Sequence, residues 1–69
     1  MSAWTLADQW AAVAESHRRM AERCDGDEQA HWELEAERFD ELACLARTDV
    51  EKARAAYRPT QAYSLEETS

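Results

Sequence analysis

Glycine and proline each occur once in this chain of 69 residues, as Gly26 and Pro59. These two residue types interrupt helices most strongly, whereas the abundant Ala, Glu and Arg residues favour them. Along most of the chain, apolar residues recur every three or four positions, which is the spacing of one face of an α-helix. The sequence therefore predicts an all-α fold with a turn near Gly26. A single small domain is expected at this length, with a binding surface and no enclosed substrate pocket.

The first predicted helix starts after Thr5, because Asp8 three residues later completes a capping-box pattern. Its apolar face consists of Leu6, Trp10, Val13, His17, Met20 and Cys24. Small side chains flank this face at seven-residue intervals, where they allow a neighbouring helix to come close. They are Ala7, Ala14 and Ala21. We predict that Gly26 ends the helix in the left-handed conformation.

The second predicted helix is capped by Asp27 and carries an apolar face of matching bulk. That face consists of Trp32, Ala36, Phe39, Leu42, Ala43 and Ala46. Folding the chain back at Gly26 pairs the two faces in an antiparallel helical hairpin. In this register His17 meets Glu35 or Ala36. We expect a core histidine with one hydrogen bond, to Glu35, and a pH switch is the alternative role.

The apolar pattern continues past the hairpin, at Val50, Ala53 and Tyr57. One unbroken helix over residues 28–57 would be about 45 Å long, against about 28 Å for the first helix. The sequence TDVE at residues 48–51 has a capping-box pattern where the first helix runs out of length. We therefore predict a break near Thr48 and a short third helix. The result is a small three-helix bundle over residues 1–58 with a loose C-terminal tail over residues 59–69.

The competing arrangement is one long second helix whose overhanging end is buried in a dimer. The predicted hairpin argues against a disulfide, because Cys24 lies beside the turn and Cys44 about 25 Å along the second helix. A disulfide requires Cα atoms within about 7 Å, so we expect free thiols, which suit a reducing cytoplasm. The chain begins without a secretory signal pattern, and its longest apolar run, residues 10–14, is too short to span a bilayer. A cytoplasmic protein is expected.

The formal net charge of −7 matches that of one segment, residues 25–42, which contains eight acidic residues and one base. On the first helix, acids and bases are spaced to pair at i, i+4, as Glu15–Arg19 and Arg18–Glu22. On the second helix the same spacing joins like charges, and each such pair costs a few tenths of a kcal/mol. The candidate partner-binding residues are Asp25, Asp27, Glu28, Glu33, Glu37, Asp40 and Glu41.

This charge density resembles that of a nucleic acid. The four carboxylates in residues 33–41 that belong to the candidate set give one charge per roughly 3–4 Å of helix axis. A DNA strand presents one phosphate per about 3.4 Å. The segment therefore predicts an acidic DNA mimic that occupies a basic nucleic-acid-binding surface of another protein. The alternative interpretation is a solvated face that keeps the protein soluble.

Other functional classes find little support in the sequence. Glu28 and His31 have the Glu-x-x-His spacing of di-iron bundles, but those sites need a second copy and two further glutamates. We predict no metal, no cofactor and no catalytic residue. The acidic balance argues against direct binding to nucleic acid or to an anionic membrane, since both require a basic surface.

A very short, acidic, nearly all-helical chain rich in Ala and Arg resembles the small phage-encoded anti-CRISPR proteins. The resemblance covers the whole chain and rests on size, charge and helicity. It implies an inhibitor of a bacterial surveillance complex such as the type I Cascade. From the predicted three-helix bundle we expect a monomer, and from the absence of catalytic motifs a protein without enzymatic activity. The expected target is the subunit that reads the protospacer-adjacent motif, so that target DNA cannot bind. The alternative is a dimeric helical-hairpin regulator or assembly adaptor with its interface at Val50, Ala53 and Tyr57.

Overall fold

A computed structural model of the protein describes residues 4–61 and contains three helices in that range. They are α1 (Leu6–Glu22), α2 (Gly26–Thr48) and α3 (Val50–Ala56). No strand occurs in the described part of the chain. The predicted all-α fold and its three helices are therefore confirmed. Within residues 4–61, no helix has the length and apolar character that a membrane crossing requires.

The start of α1 is as predicted. The Asp8 backbone N–H donates a hydrogen bond to Thr5 Oγ1 at 3.1 Å, and the Thr5 N–H donates to Asp8 Oδ2 at 3.4 Å. These reciprocal bonds form a capping box, which satisfies two backbone donors that the first helical turn leaves free.

The turn between α1 and α2 differs from the prediction. The first helix ends at Glu22, and Arg23 closes it in a right-handed conformation with its N–H bonded to the Met20 carbonyl at 3.0 Å. Gly26 adopts φ +61° but begins α2, and Asp25, not Asp27, occupies the N-cap position. The positions predicted for Gly26 and Asp27 were therefore wrong. The turn needs its one left-handed residue where the chain enters α2, and glycine takes that conformation without a steric penalty.

The contact between α1 and α2 forms most of the core. Every apolar residue predicted on the inner face of α2 is buried. On α1 the three flanking alanines are buried, with Ala14 fully inaccessible, whereas Met20 is 40% exposed. The buried face of α1 is therefore rotated from the predicted apolar face toward the three alanines. Trp32 and Phe39 already supply bulk from α2, so α1 packs through small side chains that allow close approach.

The break between α2 and α3 lies where it was predicted, but its cap is one residue further along. Asp49 has an extended backbone (φ −150°, ψ 90°), and its side chain accepts a hydrogen bond from the Lys52 N–H at 3.1 Å. Thr48 is instead the last residue of α2, and its hydroxyl donates to the Leu45 carbonyl at 3.1 Å. The predicted Thr48 cap is corrected to Asp49, because Asp49 is the residue that leaves the helical conformation.

The third helix folds back onto the hairpin, as predicted. Ala53 is fully buried and belongs to the main core cluster. Just past the end of α3, the Tyr57 ring stacks on Trp10 with 5.3 Å between centroids and 8° between planes. The same ring meets Phe39 edge-on at 6.1 Å. Tyr57 thus joins the end of α3 to both α1 and α2.

Residues 57–61, which we call the strap, continue beyond α3 without helical structure and run antiparallel to α2. The Arg38 guanidinium donates hydrogen bonds to the carbonyls of Arg58 at 3.1 Å and Pro59 at 3.3 Å. Further along the strap, Gln61 contacts His31, which is seven residues earlier in α2. The predicted tail begins at residue 59, and its first three residues contact the bundle. Its remainder, residues 62–69, lies outside the described residues.

The corrected cap gives a testable prediction for stability. We expect Asp49→Ala to lower the free energy of unfolding by about 1 kcal/mol, because the first turn of α3 loses its side-chain acceptor. Asp49→Asn should retain most of the stability, since an amide oxygen can accept the same bond. Urea denaturation followed by circular dichroism measures both effects. A larger decrease in the free energy of unfolding for Thr48→Ala than for Asp49→Ala would contradict the assignment of Asp49 as the cap.

Candidate partner-binding surface

The candidate acidic residues differ in their exposure. Asp25, Asp27, Glu33, Glu37 and Glu41 are exposed, whereas Glu28 and Asp40 are half-buried. Those at the start of α2 have a structural role as well, because negative charge in a first helical turn interacts favourably with the helix dipole.

The outermost acids form a single row along α2, made of Glu33, Glu37 and Glu41 at i, i+4 spacing. We call this row the acidic face. It has one carboxylate per about 6 Å of helix axis, nearly twice the rise per DNA phosphate of about 3.4 Å. The closer charge spacing expected from the sequence is therefore not present in this row. Among residues 4–61, none of the three carboxylates forms an ion pair.

Asp40 lies beside this row but is occupied within the bundle. It forms an ion pair with Arg18 that joins α2 to α1, and both side chains are nearly half exposed. Neither of the pairs predicted along α1, Glu15–Arg19 and Arg18–Glu22, forms an ion pair in the described part of the chain. Exposed i, i+4 pairs gain little in water, so Arg18 is free to contact a carboxylate on the facing helix. Part of the charge of Asp40 is thereby compensated.

The acidic surface extends onto α1, which the sequence analysis did not indicate. A cleft of about 350 Å³ between the helices is lined by Arg18, Ala21, Glu22, Gln29, Glu33 and Glu37. Glu22 belongs to the end of α1, and the hairpin places it opposite the start of α2. Only the predicted antiparallel pairing of the two helices could have indicated from the sequence that Glu22 lies beside the acidic residues of α2.

One large apolar side chain lies among these acids. Leu34 is 66% exposed, the most exposed large apolar residue in the described part of the chain. It precedes Glu37 by three positions and Glu41 by seven, so the helical repeat places it at the border of the acidic face. A partner that covered this face would also bury Leu34.

A second polar cluster lies beneath the strap and includes Glu35, the one acidic residue that is buried within residues 4–61. Glu35 is only 8% exposed, and its Oε1 accepts a hydrogen bond from Arg38 at 2.7 Å. The Arg38 guanidinium also lies 4.9 Å from the centre of the Phe39 ring. Glu35 is thus compensated inside the bundle, and it contributes little to the outward acidic surface.

His17 takes part in this cluster with a different partner from the one predicted. Its Nε2 is hydrogen-bonded to Thr60 Oγ1 of the strap at 3.0 Å, and not to Glu35. Burial lowers the pKa of His17 below the usual value for histidine, and the charges of Arg38 and His31 act in the same direction. The carboxylate of Glu35 and the carbonyl of Val13 oppose this shift.

The remaining candidate residues give no sign of a metal site. His31 Nε2 lies 2.8 Å from the Gln61 carbonyl. Across residues 4–61, no group of three or more His, Cys, Asp or Glu side chains is placed to hold a metal ion.

Both thiols are free, as predicted. Partial burial raises the pKa of Cys24, and the neighbouring carboxylates of Glu28 and Asp25 raise it further, because a thiolate would add negative charge beside them. Cys44 is exposed on α2. Cys24 is therefore protonated more firmly than an ordinary surface thiol.

Comparison of this chain with protein-family models, with curated proteins and with solved structures gives no match. Its function therefore has to be argued from its own surface. The most distinctive property of that surface is the acidic face of α2, which is exposed and has no ion-pair partner in the described residues.

If the acidic face has no structural role, neutralising it should not weaken the fold. We expect Glu37→Gln/Glu41→Gln to leave the free energy of unfolding unchanged or to raise it by a few tenths of a kcal/mol, because two like-charge pairs are relieved. Glu35→Gln should instead lower it by about 1–2 kcal/mol, since the charged hydrogen bond from Arg38 is weakened in a buried position. Urea denaturation at low salt compares the two variants. A clear loss of stability in the double variant would assign the row a structural role.

Proposed function

We propose that this protein is a non-enzymatic inhibitor that binds, through the acidic face of α2, to a basic nucleic-acid-binding surface of another protein. The observation that carries the proposal is the uncompensated row of Glu33, Glu37 and Glu41. The two bases that form ion pairs in residues 4–61, Arg18 and Arg38, are paired with other carboxylates. The row therefore keeps the small cost of its like-charge pairs without an ion pair of its own.

The electrostatics of such a surface favour rapid association with a basic partner. Like charges held on one rigid helix create a field that steers an oppositely charged surface into contact. The cleft beside the acidic face adds Glu22 on α1, so the negative surface is wider than one helix. Burial of the exposed Leu34 would add a short-range apolar contact, which a purely electrostatic encounter lacks.

Within this class we propose a bacterial CRISPR surveillance complex, such as the type I Cascade, as the first target to test. This choice rests on the resemblance in size, charge and helicity to phage anti-CRISPR proteins. The protein would act as a monomer in the cytoplasm of the host cell. It would occupy the basic surface that receives target DNA, and it would need no cofactor.

The test measures target-DNA binding by purified type I Cascade in the presence of the protein. Glu37→Gln/Glu41→Gln is compared with the matched control Glu15→Gln/Glu51→Gln, whose substitutions lie on α1 and α3. Each variant has a formal net charge of −7 + 2 = −5. We expect the acidic-face variant to associate about tenfold more slowly and the control to resemble wild type. Inhibition by wild type should weaken as salt rises, because salt screens exposed charges.

Two results would contradict the proposal at different levels. Equal inhibition by wild type and the acidic-face variant would exclude this face as the binding surface. An absence of inhibition by wild type, across several such complexes, would reject the Cascade target. The broader proposal of a basic partner would then be tested on other nucleic-acid-binding proteins with the same pair of variants.

The alternative, a dimeric adaptor, is disfavoured by the packing of α3. Its proposed interface needs Val50, Ala53 and Tyr57, but Ala53 is fully buried within one chain and Tyr57 stacks on Trp10 of the same chain. Ala53 therefore offers no surface to a partner, and Val50 and Tyr57 are only partly exposed, at 41% and 42%. We expect light scattering after size exclusion to give the monomer mass of 7.9 kDa. A dimer mass at micromolar concentration would favour the adaptor.

A further inference from the structure

The strap is bound to α2 through its backbone. Arg38 donates to the carbonyls of Arg58 at 3.1 Å and Pro59 at 3.3 Å, and His31 Nε2 lies 2.8 Å from the carbonyl of Gln61. Because every residue carries a backbone carbonyl, these contacts do not depend on the side chains of the bound segment. Arg38 and His31 therefore bind an extended chain as such.

The contact between the strap and α1 does depend on a side chain. His17 Nε2 lies 3.0 Å from Thr60 Oγ1. The His17 ring packs edge-on against Trp32 at 5.3 Å and against Phe39 at 5.6 Å. The strap thus lies over aromatic rings, with a hydroxyl group at one defined position. We call the surface beneath it the strap groove, and it consists of His17, His31, Trp32, Arg38 and Phe39.

The sequence of the strap favours the extended conformation in which it is bound. Pro59 holds its own φ at about −65° and keeps Arg58, the residue before it, out of the helical region. Tyr57 has φ −65° and ψ 138°, close to polyproline II geometry. Proline-containing segments of this kind bind to aromatic-lined grooves, because they lose little conformational entropy on binding. The strap therefore has the properties of a peptide ligand that is joined to its own binding site.

The strap does not use every donor in the groove. Trp32 is only 8% exposed, and its Nε1 has no hydrogen-bond partner within the described residues. A buried N–H without an acceptor is not compensated for the water that it has lost. The Trp32 ring lies between the two histidines that contact the strap, 5.3 Å from His17 and 4.8 Å from His31. A segment that offers Trp32 an acceptor would therefore fit the groove better than the strap does.

We propose that the strap groove is a binding site for an extended, proline-containing segment of a partner protein, which takes the place of the strap. Arg38 and His31 donate to the backbone carbonyls of the incoming segment, and His17 selects a hydroxyl side chain. In the free protein the strap occupies the site, because its attachment to α3 keeps it at a high effective concentration. The acidic face takes no part, so this proposal and the proposed inhibition can fail independently.

The experiment titrates the full-length chain with a fluorescein-labelled peptide of the strap sequence YRPTQ, followed by fluorescence anisotropy. In parallel, NMR of the ¹⁵N-labelled chain follows the indole signal of Trp32. We expect the peptide to shift this signal, and a scrambled peptide of the same composition to leave it in place. The peptide carries one arginine, so Glu37→Gln/Glu41→Gln serves as a control for binding to the acidic face. This variant should bind the peptide as wild type does.

Two variants that remove the same bond from opposite sides give the sharpest comparison. Thr60→Ala weakens the strap but leaves the groove intact, so the peptide should bind about fivefold more tightly than to wild type. His17→Phe keeps the ring packing but removes the partner of the threonine hydroxyl for strap and peptide alike. Its affinity for the peptide should therefore stay close to that of wild type. Far-UV circular dichroism checks that both variants retain their helices.

Three results would overturn the proposal. The first is the absence of peptide binding to Thr60→Ala at millimolar peptide. The second is an equal gain in affinity for Thr60→Ala and His17→Phe, because the peptide would then bind somewhere other than the groove. The third is a dimer of Thr60→Ala in light scattering without peptide binding, which would assign the groove to the strap of a second copy.

Discussion

The close contact between α1 and α2 is the constraint on which the rest of the structure depends. It forms over buried alanines, of which Ala14 is fully inaccessible, and it brings Trp10 beside the inner face of α2. Because Trp10 is held there, Tyr57 can stack on it and fix the end of α3. The strap then begins next to the groove between the two helices. A longer side chain at Ala14 would separate the helices and disturb each of these later contacts.

The same contact determines which charges are available to a partner. Arg18 reaches Asp40 across the hairpin, and Arg38 compensates the buried Glu35. The carboxylates of the acidic face stay exposed, without an ion pair in residues 4–61. This division follows from geometry, because a base can neutralise only those carboxylates that the packing brings within reach. The proposed inhibition uses the charges that folding leaves exposed.

The three helices could largely be predicted from the sequence, whereas the residues that form the turn and the second cap could not. The capping box of Thr5 and Asp8 is a local pattern, and so is the inner face of α2, so both could be identified from the sequence. The turn was harder to predict, because one residue in the left-handed conformation can either end one helix or begin the next. Gly26 does the latter. The break before α3 was expected from the length mismatch, but whether Thr48 or Asp49 capped it depended on where the backbone left the helix.

For this protein the sequence by itself determined the helical class, the number of helices and the concentration of negative charge in residues 25–42. These properties follow from residue propensity, periodicity and composition, which are local. Only the tertiary structure decided that Asp40 is compensated, that Glu22 joins the acidic surface, and that His17 bonds to Thr60 instead of Glu35. Each of these contacts joins positions that are distant in the chain or turned toward a neighbouring element. They depend on the relative rotation of the packed helices, which no local pattern specifies.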